Sequence, residues 1–365
     1  MLKQRPVWVL GVTSGRLCEG MHAAMLRTDG VQILELGEVG YRRFDDGERR
    51  VLGDAAGDPK AATAATGLLE NAAAGFSGAF QGAELIGFGD HALGHDAQGK
   101  ARVLAGRGEA LAKSSGLPVV TNFADNDLQM GGQGGPLSAF FHFACARRIG
   151  ATGPVAFLNL GANATLSWVD PGQKTAEAPG ALMAFDAGPA NAGLNDLMMA
   201  RRGVPMDQDG ALAARGKVAH GVLEGLLQTS YFHRMPPKLL RPDDLKSLQA
   251  AIRGLSDEDG AATLTAAVAA ALVQAQQYLP NPPTRYLVSG GGRHNPVMMA
   301  MLRAGLNRPV EPVGAVDLNG DALDALSVAY LAARVLGGLP TTCPATTGVA
   351  APVGGGQISR PAPRV

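Results

Sequence analysis

Cysteine is scarce in this 365-residue chain: Cys18, Cys145 and Cys343 are odd in number, far apart and without a CxxC pair. That excludes a disulfide framework and a cysteine-based zinc site, and makes a reducing, cytoplasmic compartment the expectation. An excess of charge of one sign is lacking too, because 32 Lys and Arg balance 32 Asp and Glu. A neutral chain offers no electrostatic reason to bind nucleic acid or an anionic membrane. Long apolar runs are also missing. The stretch after Lys3 and Arg5 extends only from Val7 to Val12, too short for a signal-peptide core, and the most apolar segment, LTAAVAAALVQAQQYL, is interrupted by Gln. No spanning helix is expected, and no metal-ligand spacing of His and Cys occurs.

Glycine, by contrast, is abundant, with 50 residues clustered at GGQGG, SGGG and VGGGQ rather than at a fixed period. This pattern suits many tight turns, not a collagen-like or linker array. The length exceeds what one hydrophobic core usually spans, so two packed units are expected. VWVLGV, GMHAAMLRT and VQILELGEVGYRRF read as a β-meander, followed by helices at PKAATAATGLLENAAAGF and GKARVLAGRGEALAKSSG and short strands at ELIGFG and LPVVTNF. A second meander begins at PVAFLNLGANATLSWVD; beyond it helices are expected at 191–202, 207–229, 243–253, 257–279, 295–306 and 320–337, with a strand at RYLVSGGG. Strand and helix alternate in both halves, which is the pattern of an α/β protein. The expected boundaries are 1–150, 151–340 and an irregular tail at 341–365.

Each half thus opens with a meander bearing a Gly/Ser or Gly/Asn turn, at Gly11, Ser14 and Gly15 and again at Gly161 to Asn163. Such turns present backbone N–H groups that suit phosphate, although a plain hairpin needs glycine as well. Asp186 follows an apolar run and precedes Gly188-Pro189, so it sits at a strand end where it either acts as a base or caps the next helix. Gly290, Gly291 and Gly292 join a strand to a helix and can lie against a flat base and ribose. His142, within the apolar AFFHFACA, reads as a core histidine, and Cys18 as a small hydrophobe.

The order of motifs resembles that of the anhydro-N-acetylmuramic acid kinases of the sugar kinase/Hsp70/actin superfamily. GVTSGRLCEGMHAAM, GGQGGPLSAFFH, LNLGANATL, FDAGPAN, DQDGALAARGKV, YFHRMPPK, DGAATLTA, SGGGRHN and DALDALSVAYLA occur in the family's order over nearly the whole chain. The resemblance implies two ribonuclease-H-like lobes of the actin/hexokinase/Hsp70 type with an interdomain cleft, ATP with Mg²⁺ as cofactors, a sugar substrate of cell-wall origin and a possible homodimer. The family opens a 1,6-anhydro bond with water while phosphorylating O6. Asp186 is implied as the base. Gly11, Ser14, Gly15, Arg16, Gly161, Asn163, Gly290, Gly291, Gly292 and Asn295 are implied on the nucleotide side. Glu19, His91, Asn122, Gln133, Asn191 and Asp324 are implied on the sugar side.

Departures fall on ligand-contacting motifs. Gly15-Arg16-Leu17 replaces GTS, Glu19 and His22 replace the aspartates of DGxD, GFGDHA replaces GSHGQT, and Ala124 stands where the family has an arginine. Arg16 can hold a phosphate through its planar fork, or fill the phosphate pocket. Two readings follow: a kinase with an altered substrate, or a catalytically impaired pseudokinase that binds nucleotide or sugar.

Overall fold

The computed structural model describes residues 5–15, 18–55, 58–89, 91–95 and 102–362. It divides into two compact units: Met1–Gly150 with Thr175–Glu177 and Ala322–Val365, and Ala151–Lys174 with Ala178–Asp321.

In the first unit β1 (Val7–Ser14), β2 (Gly20–Thr28) and β3 (Ile33–Arg43) form the expected antiparallel meander. There follow α1 (Asp46–Asp54), α2 (Pro59–Ala79), β4 (Leu85–Phe88), β5 (His91–His95), β6 (Arg102–Ala105), α3 (Gly108–Ser115), β7 (Val119–Thr121), α4 (Asp125–Gln129) and α5 (Ala139–Arg148). The single helix expected over 99–116 is therefore a strand and a shorter helix. Gly106 breaks it, packed so closely on Phe88 that an added Cβ would lie 2.6 Å from the ring. β4 pairs in parallel with both β1 and β7. Leu10, Val12, Ile86 and Phe88 of the sheet pack with Leu69 and Leu111 of the helices.

The second unit repeats the scheme with β8 (Val155–Leu160), β9 (Asn163–Val169) and β10 (Leu182–Pro189) as an antiparallel meander. Next come α6 (Asn191–Arg202), α7 (His220–Leu227), α8 (Ser230–His233), α9 (Pro242–Ala251), α10 (Asp257–Ala275), β11 (Tyr286–Ser289), α11 (Pro296–Gly305) and β12 (Val310–Pro312). β11 runs parallel to β8 and to β12. Where one helix was expected over 207–229, two short 3-10 turns precede α7, because Gly210 adopts a φ of +66° and Gly216 lies against the Glu258 carbonyl. Trp168, Phe185 and Tyr286 share a core with Val268 and Leu272 of α10.

The chain then returns to the first unit with α12 (Leu323–Leu336), α13 (Pro344–Thr347) and β13 (Gln357–Ser359). The sheet orders are β3-β2-β1-β4-β7-β13 and β10-β9-β8-β11-β12. In both, a meander is extended by parallel strands beside its first strand, the ribonuclease-H-like arrangement. Residues 322–340 pack with the first unit rather than the second, since the alanine-rich α12 fits where β1 and β4 carry Gly11 and Gly87. A Cβ on Gly11 would stand 1.9 Å from the Ala325 carbonyl oxygen, and one on Gly87 2.7 Å from that of Val328. Nor is 341–362 an irregular tail: β13 pairs antiparallel with β7, Gln357↔Thr121 to Ser359↔Val119, and covers an otherwise open sheet edge.

His142 on α5 is 3% exposed, and burial pushes its pKa from 6.5 down to about 3. The folded protein thus holds it neutral while the unfolded chain takes up a proton below about 6.5, so stability falls as pH drops from 6.5 towards 3. His142→Phe is expected to remove about 3 kcal/mol of the stability lost between pH 6.5 and pH 4. Urea unfolding of both proteins at the two pH values measures it; parallel losses would refute it.

Candidate active site

β10 carries LMAFDAGP, and its register on β9 shifts between Asp186, opposite Thr165, and Gly188, opposite Ala164. Such a bulge re-aims side chains at the end of a strand. Asp186 is 5% exposed, and its carboxylate accepts hydrogen bonds from Thr165 Oγ1 (2.8 Å), Asn163 Nδ2 (3.2 Å) and the Leu240 amide (3.0 Å). Its own amide donates to the Lys238 carbonyl, and its carbonyl accepts from the Tyr231 hydroxyl. The segment YFHRMPPKLL therefore fixes Asp186 through both backbone and side chain. The capping alternative does not hold, because α6 has Ala190 at its N-cap and no side-chain cap.

Lys238 is buried beneath this segment. Its ammonium donates to the Tyr231 and Phe232 carbonyls at 3.3 and 3.4 Å and lies 4.9 and 5.0 Å from the Tyr231 and Tyr278 ring centroids. Burial, assisted by Arg234, lowers its pKa from 10.5 to about 8. Burial and, after it, the neighbouring Asp186 raise the Tyr231 hydroxyl well above its ordinary range, so Tyr231 stays a donor.

The β8–β9 turn, whose Asn163 bonds this acid, packs with the start of α6 and with the glycine turn after β11. Asn191 donates its amide to the Gly161 carbonyl (3.0 Å) and its Nδ2 to the Leu160 carbonyl (2.8 Å). Gly290 has a φ of +75°, and a Cβ there would lie 2.5 Å from Asn159 Oδ1. A Cβ on Gly292 would lie 2.7 Å from that of Leu160, whereas on Gly291 the nearest atom is Asn191 Nδ2 at 3.7 Å. Two of the three glycines thus seat the turn on the hairpin and the middle one has room around it. Arg293 braces the turn, donating to the Gly290 carbonyl (2.9 Å) and pairing with Asp321 (2.7 Å). Burial acts to raise Asp321, but Arg293 and His294 together hold it below the usual carboxylate range. Asn295 is a buried cap of α11, its Oδ1 accepting from the Met298 amide at 3.0 Å.

In the first unit, Ser14 Oγ lies 3.0 Å from His91 Nδ1, and Cys18 Sγ lies 4.0 Å from His91 Nε2. Burial lowers the His91 pKa below 6.5, favouring the neutral ring, and raises the Cys18 thiol, which keeps it protonated. Among the described residues nothing approaches within 4 Å of a Cβ placed on Gly15. Gly11, expected to line the phosphate turn, lies under α12, and that crossing accounts for its glycine. Arg16 lies outside the described residues. The Glu19 carbonyl accepts from the Phe44 amide and the Tyr41 hydroxyl; Asn122, at a φ of +58°, donates Nδ2 to Gln357 Oε1 at 3.2 Å. Asp324 is exposed in the first turn of α12, and the Gln133 amide donates to the Thr347 carbonyl at 2.9 Å.

Sequence reasoning missed Thr165, Tyr231, Lys238 and Asp127. Thr165 was legible as the same-face neighbour of Asn163, two residues along β9. Asp127, four residues before the GGQGG run, looks like an ordinary helix residue until the fold brings that run back over it.

The family model for anhydro-N-acetylmuramic acid kinase matches residues 58–360. An anhydro-N-acetylmuramic acid kinase of Cereibacter sphaeroides is 52% identical over 364 residues, covering 99% of this chain and 98% of the relative. Its namesakes in a Ruegeria strain and in Rhodospirillum rubrum are 47% and 40% identical, covering 98% and 96% of this chain and 96% and 93% of their own lengths. A match that covers nearly both chains end to end, together with the paired sheets, identifies a sugar kinase: the chain belongs to the anhydro-N-acetylmuramic acid kinase family.

Proposed function

We propose that the protein uses ATP and Mg²⁺ to open the 1,6-anhydro bond of an anhydro-N-acetylmuramic acid with water while phosphorylating O6, with Asp186 as the base. The observation that carries this reading is the triple clamp on the Asp186 carboxylate, in which Asn163 ties the acid to the glycine hairpin. Asp186 takes a proton from water as the water oxygen bonds to the anomeric carbon. The C1–O6 bond breaks, O6 bonds to the γ-phosphorus, and ADP leaves. A positioned base of this kind contributes roughly 10²–10⁴-fold to the rate.

Gly161, Asn163 and Gly290 to Gly292 are the nucleotide-side groups of the second unit, and Ser14 and Gly15 those of the first. Glu19, His91, Asn122, Gln133, Asn191 and Asp324 are assigned to the sugar. Among the described residues no three His, Cys, Asp or Glu gather as a metal cage. Mg²⁺ usually binds through phosphate oxygens, water and few protein ligands, so it is expected to arrive with the nucleotide. When bound, the ion would neutralise charge on the β- and γ-oxygens. The protein is expected to work as a homodimer. Titration calorimetry with ATP·Mg²⁺ tests the nucleotide assignment: saturable binding that Gly291→Val weakens supports it, and no heat of binding contradicts it.

A further inference from the structure

We infer that Asp127, with Thr347 of the C-terminal segment, is a positioning residue that sets the GGQGG loop to receive sugar hydroxyls rather than phosphate. The inference rests on the proposed assignment of Gln133 to the sugar. Asp127 is 1% exposed. One carboxylate oxygen accepts the Gly134 amide (2.8 Å) and the other accepts the Thr347 hydroxyl (2.6 Å). Its carbonyl accepts the Gly132 amide (2.8 Å), while the Gln133 amide donates to the Thr347 carbonyl (2.9 Å) and that of Gly131 to the Leu128 carbonyl (3.1 Å). Any Cβ at Gly132 would fall 2.1 Å from the Asp127 carboxylate, so the loop is pressed directly onto the acid.

Four successive amides, Gly131 to Gly134, are thus committed inside the first unit. A phosphate cup needs such amides available to the ligand. With its amides committed, the loop is left with backbone carbonyl oxygens as its main-chain polar groups. Acceptors of that kind match the hydroxyl donors of a sugar. Both anchors at one end belong to Thr347, so the segment after α12 serves the loop directly. That gives a structural reason for the chain to return to the first unit at its C-terminus.

The test uses the full-length enzyme, with 1,6-anhydro-N-acetylmuramic acid as the varied substrate. Asp127→Leu keeps the branched shape but strands the Gly134 amide and the Thr347 hydroxyl. It is expected to raise KM for the sugar roughly tenfold or more, the usual cost of stranding buried donors, with KM for ATP within about twofold. Asp127→Asn should restore most of the affinity, because its carboxamide oxygen can accept from Gly134 and the Thr347 hydroxyl can reverse to accept from its NH₂. Hydrogen exchange at residues 132–134 should accelerate in Asp127→Leu and not in Asp127→Asn. If Asp127→Leu does not fold, Thr347→Val carries the same expectation with a smaller effect. Faster exchange with an unchanged sugar KM overturns the positioning role alone, as does an equal rise in both KM values. A wild-type enzyme with no sugar-dependent ADP release overturns the proposed function, and this inference with it.

Discussion

Asp186→Asn is expected to lower kcat by about 10³-fold or more, towards the upper range for a general base, while thermal unfolding stays within a few degrees of wild type. The two halves of this expectation come from the same geometry. Asparagine has the shape of aspartate, and its oxygen can keep the Asn163 and Leu240 donors while its NH₂ faces Thr165. The Thr165 hydroxyl can turn to accept, so no buried donor is stranded and the fold persists. The substituted group has no proton affinity at neutral pH, so the chemistry stops. Steady-state kinetics and a melting curve on the same preparation check both halves. A variant with near-full activity would remove Asp186 from the mechanism, and one that fails to fold would make it a structural acid.

The largest expected effect on stability lies elsewhere, at Gly11. A methyl group there would meet the Ala325 carbonyl oxygen at 1.9 Å and the Ala329 amide nitrogen at 2.8 Å, both backbone atoms of α12 that cannot swing aside. The helix must lift off β1. Gly11→Ala is expected to cost about 3 kcal/mol or more, the upper end of overpacking, with faster hydrogen exchange in β1 and α12. Gly15→Ala, just past the end of β1 and with nothing within 4 Å among the described residues, should leave stability unchanged. Equal melting temperatures for Gly11→Ala and wild type would contradict the packing assigned to α12.

These two glycines show what the sequence makes legible. Both sit in one motif, and read as letters both look like phosphate-turn glycines; only the helix arriving from residue 323 separates the packing glycine from the open one. The strands of the two meanders were readable because alternation and turn residues are local, and so was the end of β10 at Asp186. The return of α12 and β13 to the first unit was not, since it depends on surfaces more than 200 residues apart in the chain meeting their complements. Helices expected as continuous over 99–116 and 207–229 were broken by Gly106, Gly210 and Gly216, whose roles are tertiary approaches to Phe88, Asn295 and Glu258. Within the site, Asp186 and the glycine turns announced themselves, whereas their supports, Tyr231, Leu240 and Lys238, reach the acid only through the fold.

The central claim is that water opens the sugar while the sugar, not water, receives the phosphate. A short reaction of the wild-type enzyme with ATP, Mg²⁺ and 1,6-anhydro-N-acetylmuramic acid in H₂¹⁸O, read by ³¹P NMR and mass spectrometry, tests it. The account predicts a sugar 6-phosphate carrying one ¹⁸O on the sugar and none on its phosphate. Free phosphate bearing ¹⁸O, with the anhydro-sugar left intact, would contradict it.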